Sequence, residues 1–115
     1  MTRAEQYVKF LSMVIELLKF CRNNEVPVRL GEAHRPAFVA EKYAAEGIGI
    51  IKSKHRYSLA IDIWIYCKGG MDIDWKDPRY EIMGKFWEGM GGTWGGNFKK
   101  LRDLYHFELA DKVAR

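Results

Sequence analysis

A carboxylate lies in the middle of the most strand-like segment of this 115-residue chain. Residues 59–66 are otherwise apolar or aromatic, and Asp62 interrupts them. Such a run predicts a largely buried strand, and a buried carboxylate is costly unless it is paired, hydrogen-bonded or bound to a metal. From this segment alone, an ion pair with Arg35 or Arg56 and a metal site explain Asp62 equally well.

Two histidines favour the metal explanation. His55 precedes the strand by a short loop, and His106 begins a short apolar segment that we expect at an edge of the sheet. Two imidazoles and one carboxylate suit zinc, with the fourth position left open for water. The third histidine, His34, is more simply explained as a surface or hydrogen-bonded side chain. Asp103, three residues before His106, is a candidate acceptor for a proton of that water.

The bulk composition limits the classes of protein that fit. The length gives room for one domain and one core, and 48% hydrophobic and 14% aromatic residues indicate a folded chain. The net charge of +4 favours anionic surroundings. Because the lysines and arginines are scattered and form no basic stripe, we expect no nucleic-acid partner.

Cysteine content and the N-terminus bear on the compartment. Cys21 and Cys67 are the only cysteines. We expect two reduced thiols, with a single bridge between them as the alternative. The first residues do not resemble a signal peptide, and no uncharged run approaches the ~20 residues that span a bilayer. We therefore expect synthesis in the cytoplasm, no stable membrane insertion and a monomer.

The order of predicted elements indicates an α+β fold, a single small domain with its N-terminal helices packed on a small antiparallel sheet that carries the metal site. A capping box at Thr2 and Glu5 starts a helix over residues 2–22. We expect its buried stripe to be Val8, Leu11, Ile15 and Leu18, flanked by Phe10, Val14 and Leu17. The other predicted elements are strands at 26–31, 59–66, 71–75 and 106–109, helices at 36–47 and 77–90, a lead-in to the His55 loop at 47–51, and a glycine-rich loop at 91–98.

Several separated motifs resemble one known family. They are Gly31-Glu32-Ala33-His34-Arg35, Ser53-x-His55, Leu59-Ala60-Ile61-Asp62, Trp94-Gly95-Gly96-x-Phe98 and Asp103-x-x-His106-Phe107-Glu108. Together they resemble the zinc peptidases that include D-alanyl-D-alanine carboxypeptidases, vancomycin-resistance D,D-dipeptidases and bacteriophage L-alanyl-D-glutamate endolysins. The resemblance implies a Hedgehog/D-Ala-D-Ala peptidase-like fold, in which residues 1–115 form a single zinc peptidase domain with its motif-bearing core at about 28–110.

The resemblance also assigns roles by position. It implies that His55, Asp62 and His106 bind Zn²⁺, that Asp103 is the catalytic carboxylate, and that Arg35 polarises the scissile carbonyl. Ser53 and Trp94 are the implied substrate-binding residues, although for Trp94 packing is an equally good explanation. Ser58 stands where the family usually has glycine, or arginine in some small phage members. We expect Glu32 to support a histidine ligand and Glu108 to be structural.

The implied function is zinc-dependent hydrolysis of peptidoglycan stem peptides by a phage or prophage endolysin that reaches the cell wall after the membrane is breached. L-Ala–D-Glu endopeptidase and D-Ala–D-Ala carboxypeptidase activities both fit the motifs. The alternative is a non-catalytic, metal-stabilised module that binds the cell wall. Asp103 favours the enzyme, because a binding module needs no proton acceptor beside His106.

Overall fold

A computed structural model describes residues 1–47 and 53–114 of the chain. The described residues form three α-helices and a four-stranded antiparallel sheet. With the strands numbered along the chain, they lie side by side in the order first, second, fourth, third. The fold is therefore α+β, as predicted. The predicted lead-in at 47–51 lies, apart from Gly47, outside the described residues. In chain order the elements are α1 (Arg3–Asn23), β1 (Val28–Leu30), α2 (Ala37–Ala45), a 3₁₀ turn (Lys54–Tyr57), β2 (Ala60–Ile65), α3 (Arg79–Gly89), β3 (Gly92–Trp94), a second 3₁₀ turn (Gly95–Asn97) and β4 (His106–Leu109).

The helices begin where the sequence predicts. At α1 the Thr2 hydroxyl accepts from the Glu5 amide, and the Glu5 carboxylate accepts from the Thr2 amide, which completes the capping box. Helices α2 and α3 each start directly after a proline, Pro36 and Pro78, whose fixed φ suits a first helical turn.

The two faces of the sheet differ in chemistry because side chains alternate along each strand. One face turns Ile61, Ile63 and Ile65 of β2, with Phe107 and Leu109 of β4, into the core beneath α1 and α3. The opposite face carries Asp62 and His106, which are directly paired across β2 and β4. Strand β4 is internal, and the expectation of an edge position for His106 is wrong because β3 pairs along the outer side of β4.

The buried stripe predicted for α1 is also wrong. Val8, Leu11 and Ile15 are 63%, 45% and 48% exposed, whereas the flanking positions of the prediction are buried. The helix is apolar on two sides, so helical spacing alone does not choose between them. The choice is made by tertiary packing, in which Phe10 meets the edge of the buried Trp87 ring with centroids 5.8 Å apart. The buried positions of α1 are Gln6, Phe10, Met13, Val14, Leu17 and Cys21.

Two further segments differ from the prediction. Residues 71–75 form no strand and contribute only an isolated bridge between Tyr66 and Ile73. The glycine-rich segment contains β3, because Gly92 lets the strand lie directly against the Trp87 indole, where a Cβ atom would come within 2.1 Å of Nε1. Both cysteines are free thiols, as predicted, and burial raises the pKa of Cys21 to about 11.

Within residues 1–47 and 53–114, none of the helices combines the length and the apolar character that crossing a membrane requires.

Candidate metal centre

Three side chains that are far apart in sequence converge on the polar face of the sheet. Asp62 comes from β2, His106 from β4, and His55 from the 3₁₀ turn that precedes β2. The Asp62 Oδ1 atom lies 3.0 Å from Nε2 of His55 and 3.5 Å from Nδ1 of His106. One candidate ligand atom from each residue lies within 4.8 Å of the other two, and all three residues are buried. Of the two explanations for the carboxylate in the strand, the structure favours the metal site, because Asp62 is hydrogen-bonded to histidines and not to an arginine.

The loop that presents His55 is shaped by two serines. Ser53 caps the 3₁₀ turn, and its hydroxyl accepts from the His55 amide at 3.3 Å. Ser58 ends the turn in the left-handed region, with φ at 59°. That conformation favours glycine, which explains why the resembled family usually has glycine at this position. Here the hydroxyl of Ser58 lies 2.8 Å from Nδ1 of His34, a side-chain contact that glycine cannot make.

Hydrogen bonds fix which ring nitrogen of each histidine faces Asp62. His55 donates its Nδ1–H to the carbonyl of Ala33 at 3.1 Å, because a carbonyl can only accept. His106 donates its Nε2–H to the carboxylate of Glu108 at 2.7 Å. The nitrogens left for a metal are therefore Nε2 of His55 and Nδ1 of His106. Outer hydrogen bonds of this kind are typical of metal-binding histidines.

Glu108 has a role that the sequence analysis did not assign. Besides accepting from His106, its carboxylate lies 3.0 Å from Nζ of Lys54, the neighbour of His55. This contact links the turn that carries His55 to the strand that carries His106. The signal was present in the sequence, because residues two apart on a strand share a face and Glu108 follows His106 at that spacing.

The electrostatics of the cluster favour ionised carboxylates. Burial raises the pKa of Asp62, but the hydrogen bonds from His106 and His55 outweigh burial and hold that pKa below its usual range. Glu108 behaves alike, with His106 and Lys54 outweighing its burial and lowering its pKa. Burial alone lowers the pKa of His106, but hydrogen bonds to Asp62 and Glu108 raise it to about 9. The two carboxylates are thus ionised and each has a cationic partner, Asp62 in the histidines and Glu108 in His106 and Lys54.

The pKa of Asp103 is shifted in the opposite direction to the pKa values of Asp62 and Glu108. Its carboxyl is partly buried, and its Oδ1 atom is buried with no hydrogen-bond partner among the described residues. Burial, followed by repulsion from Asp62, raises the pKa of Asp103. A buried carboxylate oxygen without a partner is costly, and a solute held next to the three converging ligands would supply one. The donor set and this orphaned atom together fit a bound metal ion.

Arg35 lies in the same pocket as these groups. Its side chain donates to Glu32 Oε1 through Nε at 2.7 Å, its guanidinium lies over the Tyr43 ring at 5.1 Å, and its amide donates to the His55 carbonyl. Glu32 is 4.0 Å from Nδ1 of His55, too far for a hydrogen bond. Glu32 therefore holds Arg35, while the histidine ligand is supported by the Ala33 carbonyl.

The structure separates the two predicted substrate-binding residues. Ser53 lines the pocket with His55 and Asp62. Trp94 is 3% exposed, its ring packs over Gly84 and Gly96, and its Nε1 donates to the Leu104 carbonyl at 2.7 Å. Trp94 does not line the metal pocket but lines the adjoining cleft, so its role as a substrate contact stays a prediction. Trp94 supports the 95–105 segment that carries Asp103.

The site lies in a pocket of about 450 Å³ that adjoins a second cleft of about 680 Å³. The two share the wall formed by Leu101, Asp103 and Tyr105. The second cleft continues past this wall toward the half-exposed Trp75. The pocket and the cleft together form one depression that extends on both sides of Asp103.

The fold and the His-Asp-His cluster define an α+β domain with a candidate mononuclear metal centre next to an unpaired carboxyl. Residues 47–109 match the family model described as D-alanyl-D-alanine carboxypeptidase, and the chain belongs to that family. It is a family of peptidases, as the motifs predicted.

A solved structure shares the fold. The L-Ala D-Glu endopeptidase ChiX of Serratia marcescens superposes with a TM-score of 0.63 at 23% sequence identity. The match covers 74% of this chain and 68% of the Serratia protein. The predicted fold of this peptidase group is therefore confirmed.

Proposed function

We propose that this protein is a zinc-dependent peptidase that hydrolyses peptidoglycan stem peptides, with residues 1–115 acting as one catalytic domain. The observation that carries the proposal is the convergence of His55, Asp62 and His106 beside the unpaired carboxyl of Asp103. Two imidazoles and one carboxylate are the ligand set of several catalytic zinc sites, which leave a further position open.

Zinc, when bound by Nε2 of His55, Nδ1 of His106 and the Asp62 carboxylate, would supply a Lewis acid that polarises a carbonyl and lowers the pKa of a water. The chain's own residues prepare this site. The Ala33 carbonyl and Glu108 orient the two rings, and Asp62 is kept ionised by its hydrogen bonds. The nitrogen of each imidazole that now faces Asp62 would give up its proton and bind the metal.

Asp103 is the proposed proton carrier. It would accept a proton from the attacking water and return it to the amine of the departing peptide. Both halves of that cycle need a carboxyl that is less acidic than usual, and burial raises the pKa of Asp103 in the required direction. This argument favours the peptidase over the alternative, a metal-stabilised wall-binding module, which has no need of a carboxyl whose Oδ1 is buried without a hydrogen-bond partner.

Arg35 is the proposed stabiliser of the oxyanion that develops on the scissile carbonyl. Its guanidinium is held by Glu32 and by the Tyr43 ring, so it does not need to be ordered when the substrate binds. Ser53 lines the same pocket and Trp94 lines the adjoining cleft, and both are proposed substrate contacts. Lys54 and Lys100 add positive charge to the pocket walls, which suits a stem peptide rich in carboxylates.

We favour cleavage within the stem peptide, at the L-Ala–D-Glu bond, over removal of a terminal D-Ala. The depression continues on both sides of Asp103, which accommodates residues before and after the cut bond. The Serratia protein with the shared fold is named for the same bond. The description of the matching family model names the other activity, D-Ala–D-Ala carboxypeptidase, which is the second candidate.

We also propose that the protein acts as a phage or prophage endolysin, made in the cytoplasm and active on the wall after membrane breach. The support is Asp103, since several phage members of the resembled family have aspartate at that position where the dipeptidases have glutamate.

Digestion of purified peptidoglycan by the zinc-loaded protein, with mass spectrometry of the products, tests the proposal. New L-Ala carboxyl and D-Glu amino ends are the expected result, and release of free D-Ala would identify the carboxypeptidase instead. Sedimentation with peptidoglycan but no released ends would support the binding module. Lysis of outer-membrane-permeabilised cells by added protein tests the endolysin role.

A further inference from the structure

The largest feature that the metal centre leaves unexplained is the outer side of α1. Helix α1 packs one side against the core, yet Tyr7, Val8, Leu11 and Ile15 on the other side are each between 45% and 63% exposed. Leu18 continues the same side and is half-buried. We call Ala4, Val8, Leu11, Ile15 and Leu18 the outer stripe. Contiguous exposed apolar surface of this kind marks interaction sites on otherwise soluble domains.

The spacing in the outer stripe indicates what covers it. Its members follow one another at steps of four, three, four and three residues, which is a heptad repeat. Val8 and Ile15 fall on one heptad position, while Leu11 and Leu18 fall on the other. In parallel coiled coils a β-branched residue at the first position with leucine at the second favours two helices over three or four. The spacing therefore indicates a second helix as the partner, and the direction of that helix is decided by the charges beside the stripe.

Charges beside the stripe indicate the partner and its direction. Glu5, Ser12 and Lys19 flank the stripe on one side at intervals of seven residues. In an antiparallel pair of identical helices, Glu5 of each copy would face Lys19 of the other, with Ser12 near the centre. Among the residues that the structure describes, the ion-pair partner of Lys19 is Glu16 at 3.5 Å, a weak pair because both side chains are more than half exposed.

We propose that the outer stripe is a dimer interface, in which α1 of one molecule packs antiparallel against α1 of a second copy. Leu11 then packs against Ile15 of the second copy, and Val8 against Leu18 of the second copy. This departs from the monomer expected from the sequence. A single helix–helix seam buries less than the ~1,600 Å² total of a standard stable interface, so the dimer should be weak and concentration-dependent.

The proposed dimer leaves the metal site of each molecule open to substrate. Helix α1 covers the apolar face of the sheet, while His55, Asp62 and His106 occupy the opposite face. Pairing through the outer stripe, on the far side of α1, therefore keeps both metal centres open. A lipid surface fits the stripe less well, because its exposed polar border is mixed in charge, with Glu5 and Glu16 beside Lys19, and is not a basic face.

Sedimentation velocity over a range of protein concentrations tests the interface. The wild type should shift from monomer to dimer as concentration rises, and Leu11→Glu/Ile15→Glu should stay monomeric with an unchanged circular dichroism spectrum. Met71→Glu, an equally drastic change at an 85% exposed residue in a turn, is the matched control and should still dimerise. A wild type that remains monomeric at millimolar concentration would overturn the proposal, as would a dimer that persists in the double variant.

Orientation has its own test. Ser12→Cys in a Cys67→Ser background should form an intermolecular disulfide on mild oxidation, because an antiparallel seam brings the two Ser12 positions together. Cys21 is buried and should not compete. Absence of that cross-link in a protein that dimerises would overturn the antiparallel arrangement. Stripe-dependent binding to vesicles of anionic lipid by a strictly monomeric wild type would overturn the dimer in favour of a membrane surface.

Discussion

The two faces of the central sheet use the same strands for different purposes. On β2 and β4 the odd-numbered residues 61, 63, 65, 107 and 109 are apolar and nearly inaccessible to solvent. Asp62, His106 and Glu108 alternate with them and are also largely buried, but they satisfy one another through hydrogen bonds. One face thus stabilises the fold by burial of apolar surface, whereas the other holds a buried polar network that we propose to be the catalytic site. Substitutions on the two faces should therefore fail in different ways.

The largest effect is expected at Asp103, on the chemical side. Asp103→Asn keeps the size of the side chain but removes the proton acceptor. We expect kcat on peptidoglycan to fall by ~10²–10⁴-fold while zinc content and the unfolding midpoint stay near wild type. Steady-state kinetics with parallel metal analysis measure this. Wild-type turnover would move the base to another residue, with Glu32 as the next candidate, and loss of zinc would make Asp103 a ligand.

On the apolar face, Phe107→Ala should cost stability instead of chemistry. Phe107 is fully buried, and its ring contacts the edge of Trp87 at 5.9 Å between centroids. Truncating a buried phenylalanine costs ~3–5 kcal/mol. Urea unfolding of the metal-free protein measures the free energy of unfolding. A loss below about 1 kcal/mol would mean that this face is not the core that the comparison requires.

Arg35→Lys sharpens the comparison at the margin of the polar face. Lysine keeps the positive charge but cannot reproduce the planar fork that Glu32 and Tyr43 hold. We expect kcat/KM to fall by ~10–10²-fold, mainly through kcat, since the role assigned is to stabilise the transition state. Unchanged kcat/KM with an intact fold would remove Arg35 from the active site. Arg56→Lys, at a neighbouring arginine outside the metal pocket, is the control.

At Glu108 the expected effect is on metal affinity and not on the chemical step. Glu108→Gln keeps a hydrogen-bond acceptor for His106 but removes the charge and the ion pair with Lys54. Outer-shell changes typically weaken metal affinity ~10–100-fold. Competition with a zinc chelator measures the affinity. If the affinity is unchanged, Glu108 is only a structural residue, as the sequence analysis supposed.

The difference between the polar and the apolar residues also explains which features could be predicted from the sequence. The three candidate ligands, which the structure brings together, could be picked out from the sequence because polar residues in apolar segments need a local reason, and the motifs added their order. The buried side of α1 was not predictable, because Val8 and Leu11 satisfy the helical period as well as Phe10 and Leu17 do. Contacts with Trp87, distant in sequence, make that choice.

Two site residues illustrate the same limit. Trp94 stands in a glycine-rich motif, but whether its ring faces the substrate or the core depends on Gly84 of a different helix. The ion pair of Glu108 with Lys54 could not be predicted without knowing that β4 pairs directly with β2, because this pairing brings Lys54 to the Glu108 carboxylate. Local pattern therefore predicted most of the helices and strands and the three candidate ligands, while the contacts that support those side chains follow from tertiary packing.

The central claim is that the polar face is a zinc site, and metal content measures it most directly. The protein's three histidines offer an internal control, because His34 is exposed and contacts Ser58 while His55 and His106 face Asp62. We predict one zinc ion per chain in the wild type and in His34→Ala, and loss of stoichiometric zinc in both His55→Ala and His106→Ala. Full zinc occupancy in the latter two variants would contradict the account.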